Sequence, residues 1–389
     1  MAVGDVIRLS FEELRDEETG AAVRRLSPDR GDTIAPYFTQ SLVSADGETV
    51  LVASTCSGLP QVHAIHLEER TMVQASSEPG VKLHTAVMDA GERVAYFWAG
   101  RLLRRVDLAT LQGEAIYEVP EGFTGGILSL DHSGRYMAFV YHEAIQVSSA
   151  TGRIYSGMLE HLYRHPSSVV MRLDLQEGSA KAVWGERNWI SHVSISPIEP
   201  DLVLFCHEGH WELVHRMWVV RASTGECRPL LERGLYTERD GHEYFTASGR
   251  VVTQYARRAS TASNDWEEFN VVLWPDGSGE ERYALGPQRP GHVQSAHADE
   301  TLLVGDGAFP PGDEWRQKGS GYMSLIRHTS DGKALYKPLC RHDSSWKTQH
   351  SHPHPFFAPD DNSVFFNSDR EGNANLYQAL DIRAFIGSF

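Results

Sequence analysis

Asp46-Gly47-Glu48-Thr49-Val50-Leu51-Val52 sets a polar turn in front of a β-branched apolar run, and the same phrase returns along the chain. It recurs as Gly91-Glu92-Arg93-Val94-Ala95-Tyr96-Phe97, Gly134-Arg135-Tyr136-Met137-Ala138-Phe139-Val140 and Pro200-Asp201-Leu202-Val203-Leu204-Phe205. Gly249-Arg250-Val251-Val252-Thr253, Asp299-Glu300-Thr301-Leu302-Leu303-Val304 and Asp361-Asn362-Ser363-Val364-Phe365-Phe366 bring the copies to seven. Gly and Asp suit the turn, and the branched and aromatic residues suit a pleated, buried strand.

Between these copies lie second strand phrases that end in polar turns, such as Arg105-Val106-Asp107-Leu108-Ala109-Thr110, Met171-Arg172-Leu173-Asp174-Leu175 and Trp218-Val219-Val220-Arg221-Ala222-Ser223-Thr224-Gly225. Two hairpins per unit of roughly 40 to 50 residues make a propeller blade, a small sheet that buries its faces only against its neighbours. The pattern predicts an all-β fold, a seven-bladed β-propeller. A pair of β-sandwiches has similar turns but gives no reason for seven copies of one phrase. The expected organisation is a single domain over 1–389, with a short N-terminal segment and long loop insertions near 141–170 and 305–325. Gly305-Asp306-Gly307 in the second insertion reads as a tight turn. Helices should be few: a turn around Phe11–Arg15, a segment around Gly157–Tyr163, and amphipathic turns near Trp211–His215.

The 389 residues include 36 Lys plus Arg against 52 Asp plus Glu, a formal net charge of −16, which disfavours nucleic acid and anionic membranes as partners. The first twenty residues lack an apolar leader core, and no apolar run approaches the roughly 18 residues of a membrane span. A cytoplasmic location is expected. Cys56, Cys206, Cys227 and Cys340 have no CxxC spacing and read as reduced, mostly buried thiols. The sequence carries no signal for an oligomeric state.

Of 19 histidines, 12 lie between His192 and His354. The sharpest segment is Gln349-His350-Ser351-His352-Pro353-His354-Pro355. On an extended chain, alternate positions put His350, His352 and His354 on one side, and each proline biases the residue before it to extended backbone. Two such imidazoles can share a metal, and imidazole with an amide oxygen and water suits Mn, Fe, Ni or Zn rather than Ca. A third ligand must come from elsewhere. His292 precedes the sixth strand phrase, His242 the fifth and His192 the fourth, so four successive blades offer an imidazole at one register, where blades converge. Each histidine could instead be a core imidazole bonded to a carbonyl. His192 at this register is expected to touch substrate. Arg216 could bind a carboxylate through its planar fork or form a surface ion pair. No GxSxG elbow supports a serine nucleophile.

Phe205-Cys206-His207-Glu208-Gly209 with Arg216-Met217-Trp218, His292 with Val304-Gly305-Asp306-Gly307, Arg341-His342-Asp343-Ser344-Ser345-Trp346-Lys347, and the Gln-x-x-His-Pro-His-Pro signature from Gln349 resemble the oligogalacturonate lyase family of pectin-degrading enzymes. That family is a seven-bladed propeller. The resemblance implies that His292, His352 and His354 with Gln349 hold one divalent, manganese-like ion, that His242 is the general base, and that Arg216 grips a uronate carboxylate. His350 stands where the family usually has an aliphatic residue, and Asp240-Gly241 where it tends to have Cys-Thr. His207, in the same neighbourhood, is the rival base.

The expected reaction is β-elimination on a short uronate oligosaccharide. The C5 proton is removed, charge builds on the C6 carboxylate, the O4 glycosidic bond breaks, and a 4,5-unsaturated sugar results. Cations at the carboxylate stabilise the enolate-like state, and a neutral imidazole is a suitable base near neutral pH. Water attack at such a centre would give hydrolysis, so a related metal-dependent enzyme on another sugar acid or glycoside is the alternative, followed by a non-catalytic binding propeller.

Overall fold

Each of the seven repeated phrases folds as the second strand of its own antiparallel sheet: Thr49–Ser54, Val94–Ala99, Tyr136–Glu143, Leu202–Cys206, Val251–Arg257, Leu302–Asp306 and Val364–Ser368. The computed structural model describes residues 1–146, 157–286, 290–307 and 321–387. It contains seven antiparallel sheets of four or five strands, the seven-bladed β-propeller expected from the repeat. Four of the second strands are buried throughout: every residue of Thr49–Ser54, Leu202–Cys206, Leu302–Asp306 and Val364–Ser368 is shielded from solvent. A strand covered on both faces needs a nearly continuous apolar run, which explains why these phrases were the strongest signal.

The chain divides into two compact units, one of Met1–Gly100, Arg104–Ala115 and Pro287–Phe389, the other of Arg101–Leu103 and Ile116–Gly286. In the first unit, one sheet joins both ends of the described chain: Glu13–Arg15 and Ala22–Arg25 pair beside Asn375–Ala379, Val364–Ser368 and Phe356–Phe357. Its core includes Val304, Met323, Leu325, Phe366 and Tyr377. In the second unit, Val140, Val170, Ile195, Val203 and Phe205 form one apolar cluster, and Leu204, Val219, Val251, Val271 and Leu273 another.

The helical turn expected at Phe11–Arg15 is instead an edge strand, Glu13–Arg15, whose alternating exposure suits a sheet margin. Met158–Arg164 is helical as expected, and Trp211–Leu213 forms turns without a helix. Residues 147–156 of the first expected insertion and 308–320 of the second lie outside the described residues. All four cysteines are free, three of them buried. No helix among the described residues is long and apolar enough to cross a membrane.

Candidate metal centre and arginine cluster

In the first unit, His292 sits immediately before the innermost strand Val293–Ser295, and His352 and His354 lie in the segment leading to Phe356–Phe357. Their ligand atoms all fall within 4.8 Å of one another. The ring centroids of His292 and His354 are 4.2 Å apart, those of His292 and His352 5.6 Å, and those of His352 and His354 5.5 Å. Phe38 stacks on His354 at 5.2 Å, and Trp346 lies parallel to His292 at 6.0 Å. These faces lock the rings in place.

Asp306, fully buried, organises the cluster. Its Oδ2 accepts from His292 Nδ1 at 2.6 Å and from the His354 backbone N–H at 3.3 Å, while its Oδ1 accepts from the His292 N–H at 2.6 Å. The bond to Nδ1 leaves His292 Nε2 as the atom able to donate a lone pair, the usual carboxylate support of a metal-bound imidazole. The tight turn expected at Gly305-Asp306-Gly307 is therefore the end of a strand. A Cβ on Gly305 would lie 2.9 Å from both Pro290 Cβ and Ile326 Cδ1, and Gly307 leaves the strand with φ of +82°. The two glycines serve close approach and a left-handed exit, and the carboxylate between them serves His292.

The His-rich segment is not uniformly extended. Gln349–Ser351 is a 3-10 turn, His352 is extended at φ −78° and ψ 130°, and His354 has φ of +46° despite the proline after it. The turn sends His350 elsewhere: its Nδ1 lies 3.2 Å from Asp32 Oδ2, and its ring 4.9 Å from that of His84. The straight extended run expected from alternation is broken by this turn, and His350 lies apart from His352 and His354. Gln349 Oε1 is buried with no hydrogen-bond partner among the described residues. Three clustered imidazoles and a supporting carboxylate fit a borderline divalent cation.

In the second unit, Arg216 is buried between two carboxylates. Its Nη1 donates to Glu208 Oε2 at 2.9 Å and its Nε to Glu243 Oε2 at 2.8 Å, leaving Nη2 without a partner among the described residues. Burial works against the charge, but Glu208 and Glu243 outweigh it and hold the guanidinium well above its ordinary pKa. Burial would likewise raise the Glu208 carboxyl, yet Arg216 and His192 hold it well below the usual range. The ion pair foreseen for Arg216 exists, but in the interior and not at the surface.

His192 precedes Val193–Ile195; its Nδ1 lies 2.7 Å from Glu208 Oε1, to which Ser191 Oγ also donates at 2.6 Å. His192, Cys206 and Glu208 also bring ligand atoms within 4.8 Å, but both Glu208 oxygens are already engaged, so this is a hydrogen-bonded network supporting Arg216. His207 faces away: its Nε2 is 2.5 Å from Glu186 Oε1, and its ring packs at 4.8 Å against Trp218. His242 lies in the strand Glu238–Phe245, Nδ1 2.7 Å from Gln254 Oε1, next to the Glu243 that holds Arg216.

Asp306, Glu208, Glu243 and Glu186 were not assigned roles from the sequence. The signal for Glu208 was the alternation of Cys206-His207-Glu208, which sends Cys206 and Glu208 to one side and His207 to the other.

The family model for oligogalacturonate lyases matches residues 1–382. The chain belongs to the oligogalacturonate lyase family. Within that family it is 28% identical over 393 residues to the oligogalacturonide lyase of Pectobacterium atrosepticum, covering 97% of this chain and 98% of the relative. It is 27% identical to the oligogalacturonate lyase of Dickeya dadantii with the same coverage. The crystal structure of the Vibrio parahaemolyticus oligogalacturonate lyase superposes with a TM-score of 0.85 at 26% identity, over 97% of this chain and 98% of that one. An oligogalacturonate lyase in complex with manganese matches with a TM-score of 0.85 at 25% identity, over 98% of both chains.

Proposed function

We propose that this chain is a metal-dependent lyase that cleaves short oligogalacturonates by β-elimination, releasing a 4,5-unsaturated uronate, and that it works in the cytoplasm. The observation that carries the reading is the buried His292, His352 and His354 cluster with its Asp306 support, in a chain matched to the lyase family over residues 1–382. His292, His352 and His354 would hold one divalent ion, manganese by likeness to the manganese complex, with Gln349 Oε1 as a further ligand. Such an ion supplies positive charge for a carboxylate that turns enolate-like as the C5 proton leaves.

The remaining roles follow the family likeness. Arg216 offers Nη2 to the substrate carboxylate while Glu208 and Glu243 hold its other nitrogens, so the donor is orientated before substrate arrives. His242 takes the C5 proton at Nε2, because Nδ1 already faces Gln254. His207 is the weaker candidate, since its Nε2 is engaged by Glu186. His192, bonded to Glu208, is assigned to substrate contact beside Arg216.

Digalacturonate incubated with the manganese-loaded protein should yield a product that absorbs in the ultraviolet, as a 4,5-unsaturated uronate does. Release of new reducing ends without that absorbance would mean hydrolysis, and binding without turnover would mean a binding propeller.

A further inference from the structure

We propose that Gln254 is a positioning residue for the base: its side-chain oxygen holds His242 in the tautomer protonated at Nδ1, so that Nε2 presents its lone pair to the substrate. The inference rests on the reading of His242 as the base. The strand Glu238–Phe245 pairs with Val251–Arg257 through Gly241 opposite Gln254, slips, and resumes at Tyr244 opposite Val252. His242 and Glu243 occupy the slip, and His242 takes φ of +55°. A histidine held in left-handed backbone costs on the order of 1 kcal/mol, and such positions persist where surrounding contacts over-determine them. Here three contacts do so. Gln254 meets the His242 ring at 2.7 Å, Trp211 presents an edge at 5.4 Å and 85°, and Glu243 is bound to Arg216.

The chemistry of the contact assigns the proton. An amide oxygen only accepts, so the nitrogen facing it must carry hydrogen, and in a neutral imidazole the other nitrogen is then the base. An amide orientates the ring without the negative charge that would favour imidazolium. On the same strand, Asp240 is paired with Arg233, Glu243 with Arg216 and Arg239 with Glu268, while Glu238 accepts from the Gly234 N–H. Gln254 and Trp211, from the neighbouring segments, are uncharged.

Gln254→Leu, Gln254→Glu and His242→Ala should be compared on digalacturonate, with metal content and melting temperature measured alongside. Gln254→Leu is expected to lower kcat on the order of 10-fold or more, part of the 10² to 10⁴ that general-base catalysis supplies, with KM, metal and melting temperature retained. Gln254→Glu keeps the acceptor, so turnover should recover while the acidic limb of the pH profile moves to higher pH. Nitrogen-15 NMR should show neutral His242 protonated at Nδ1 in the parent protein. An unchanged kcat and pH profile in Gln254→Leu, a Gln254→Glu variant dead at every pH, or protonation at Nε2 would each overturn the inference. Wild-type turnover in His242→Ala would overturn the reading of the base itself; an inactive His242→Ala beside an unaffected Gln254→Leu would remove only the role of Gln254.

Discussion

Asp306 accepts three hydrogen bonds from two histidines while fully buried, so its charge and its shape both matter to the proposed metal centre. Asp306→Asn keeps the shape and loses the charge; divalent-ion affinity, measured by competition with a chelating dye, should fall about 10- to 100-fold, as it does when such supporting groups are changed elsewhere. Unchanged affinity would make Asp306 a folding residue only. His352→Ala should lose stoichiometric metal, whereas His350→Ala should keep it, since His350 faces Asp32 and His84. Arg216 asks for a paired test because it is both buried and proposed to bind substrate. Removing it as Arg216→Ala leaves Glu208 and Glu243 uncompensated, at about 3–5 kcal/mol in stability. Arg216→Lys retains charge but not the planar fork, so kcat/KM should fall much further than the melting temperature does. Parallel losses in both would confine Arg216 to structure.

Within one strand, Glu238–Phe245, a structural ion pair and the proposed base stand two residues apart. Asp240 and Arg233 meet at 2.5 Å with no side-chain exposure, and burial, only partly offset by Arg233, pushes the Asp240 carboxyl up to about 6. Asp240→Asn should cost about 3–5 kcal/mol in denaturant titration because Arg233 is left alone, while a double change of Asp240→Leu and Arg233→Met should recover most of it. If the single variant were as stable as the parent, the pair would not be closing this strand. Strands of this kind were readable in advance because two-residue alternation and turn residues are local signals. The bulge at His242 was not, since it depends on Arg216 and Gln254 from other segments. The same limit explains the His-rich segment, where local proline preference foresaw an extended His352 but not the left-handed His354, which Asp306 holds through its backbone N–H.

Across the whole molecule, buried neutral histidines tie stability to pH. Burial lowers the pKa of His63 to about 4 and of His328 to about 3, with Arg327 adding to the second. Below the unfolded value near 6.5 the unfolded chain binds protons that the folded chain refuses, so stability falls as pH drops from 6.5 through 4. Each site contributes on the order of 3 kcal/mol at the bottom of that window. Urea midpoints should therefore fall steeply between pH 6.5 and 4 and recover in part for His63→Gln; a flat profile would mean that these rings protonate in place. The seven sheets could be counted from seven turn-and-strand phrases, and the clustered histidines proposed as ligands could be found from spacing and family likeness. The acidic partners Asp306, Glu208 and Glu243 could not be picked from 52 acidic residues, because what distinguishes them is burial against a particular cation or imidazole. On the proposed mechanism, this lyase-family chain eliminates across a uronate using one ion held by His292, His352 and His354. The direct measurement is the rate of unsaturated product formation from digalacturonate by chelator-stripped protein titrated with manganese. Turnover should be absent without metal and rise to saturation at one equivalent per chain; full turnover in the stripped protein would rule out a metal-dependent elimination.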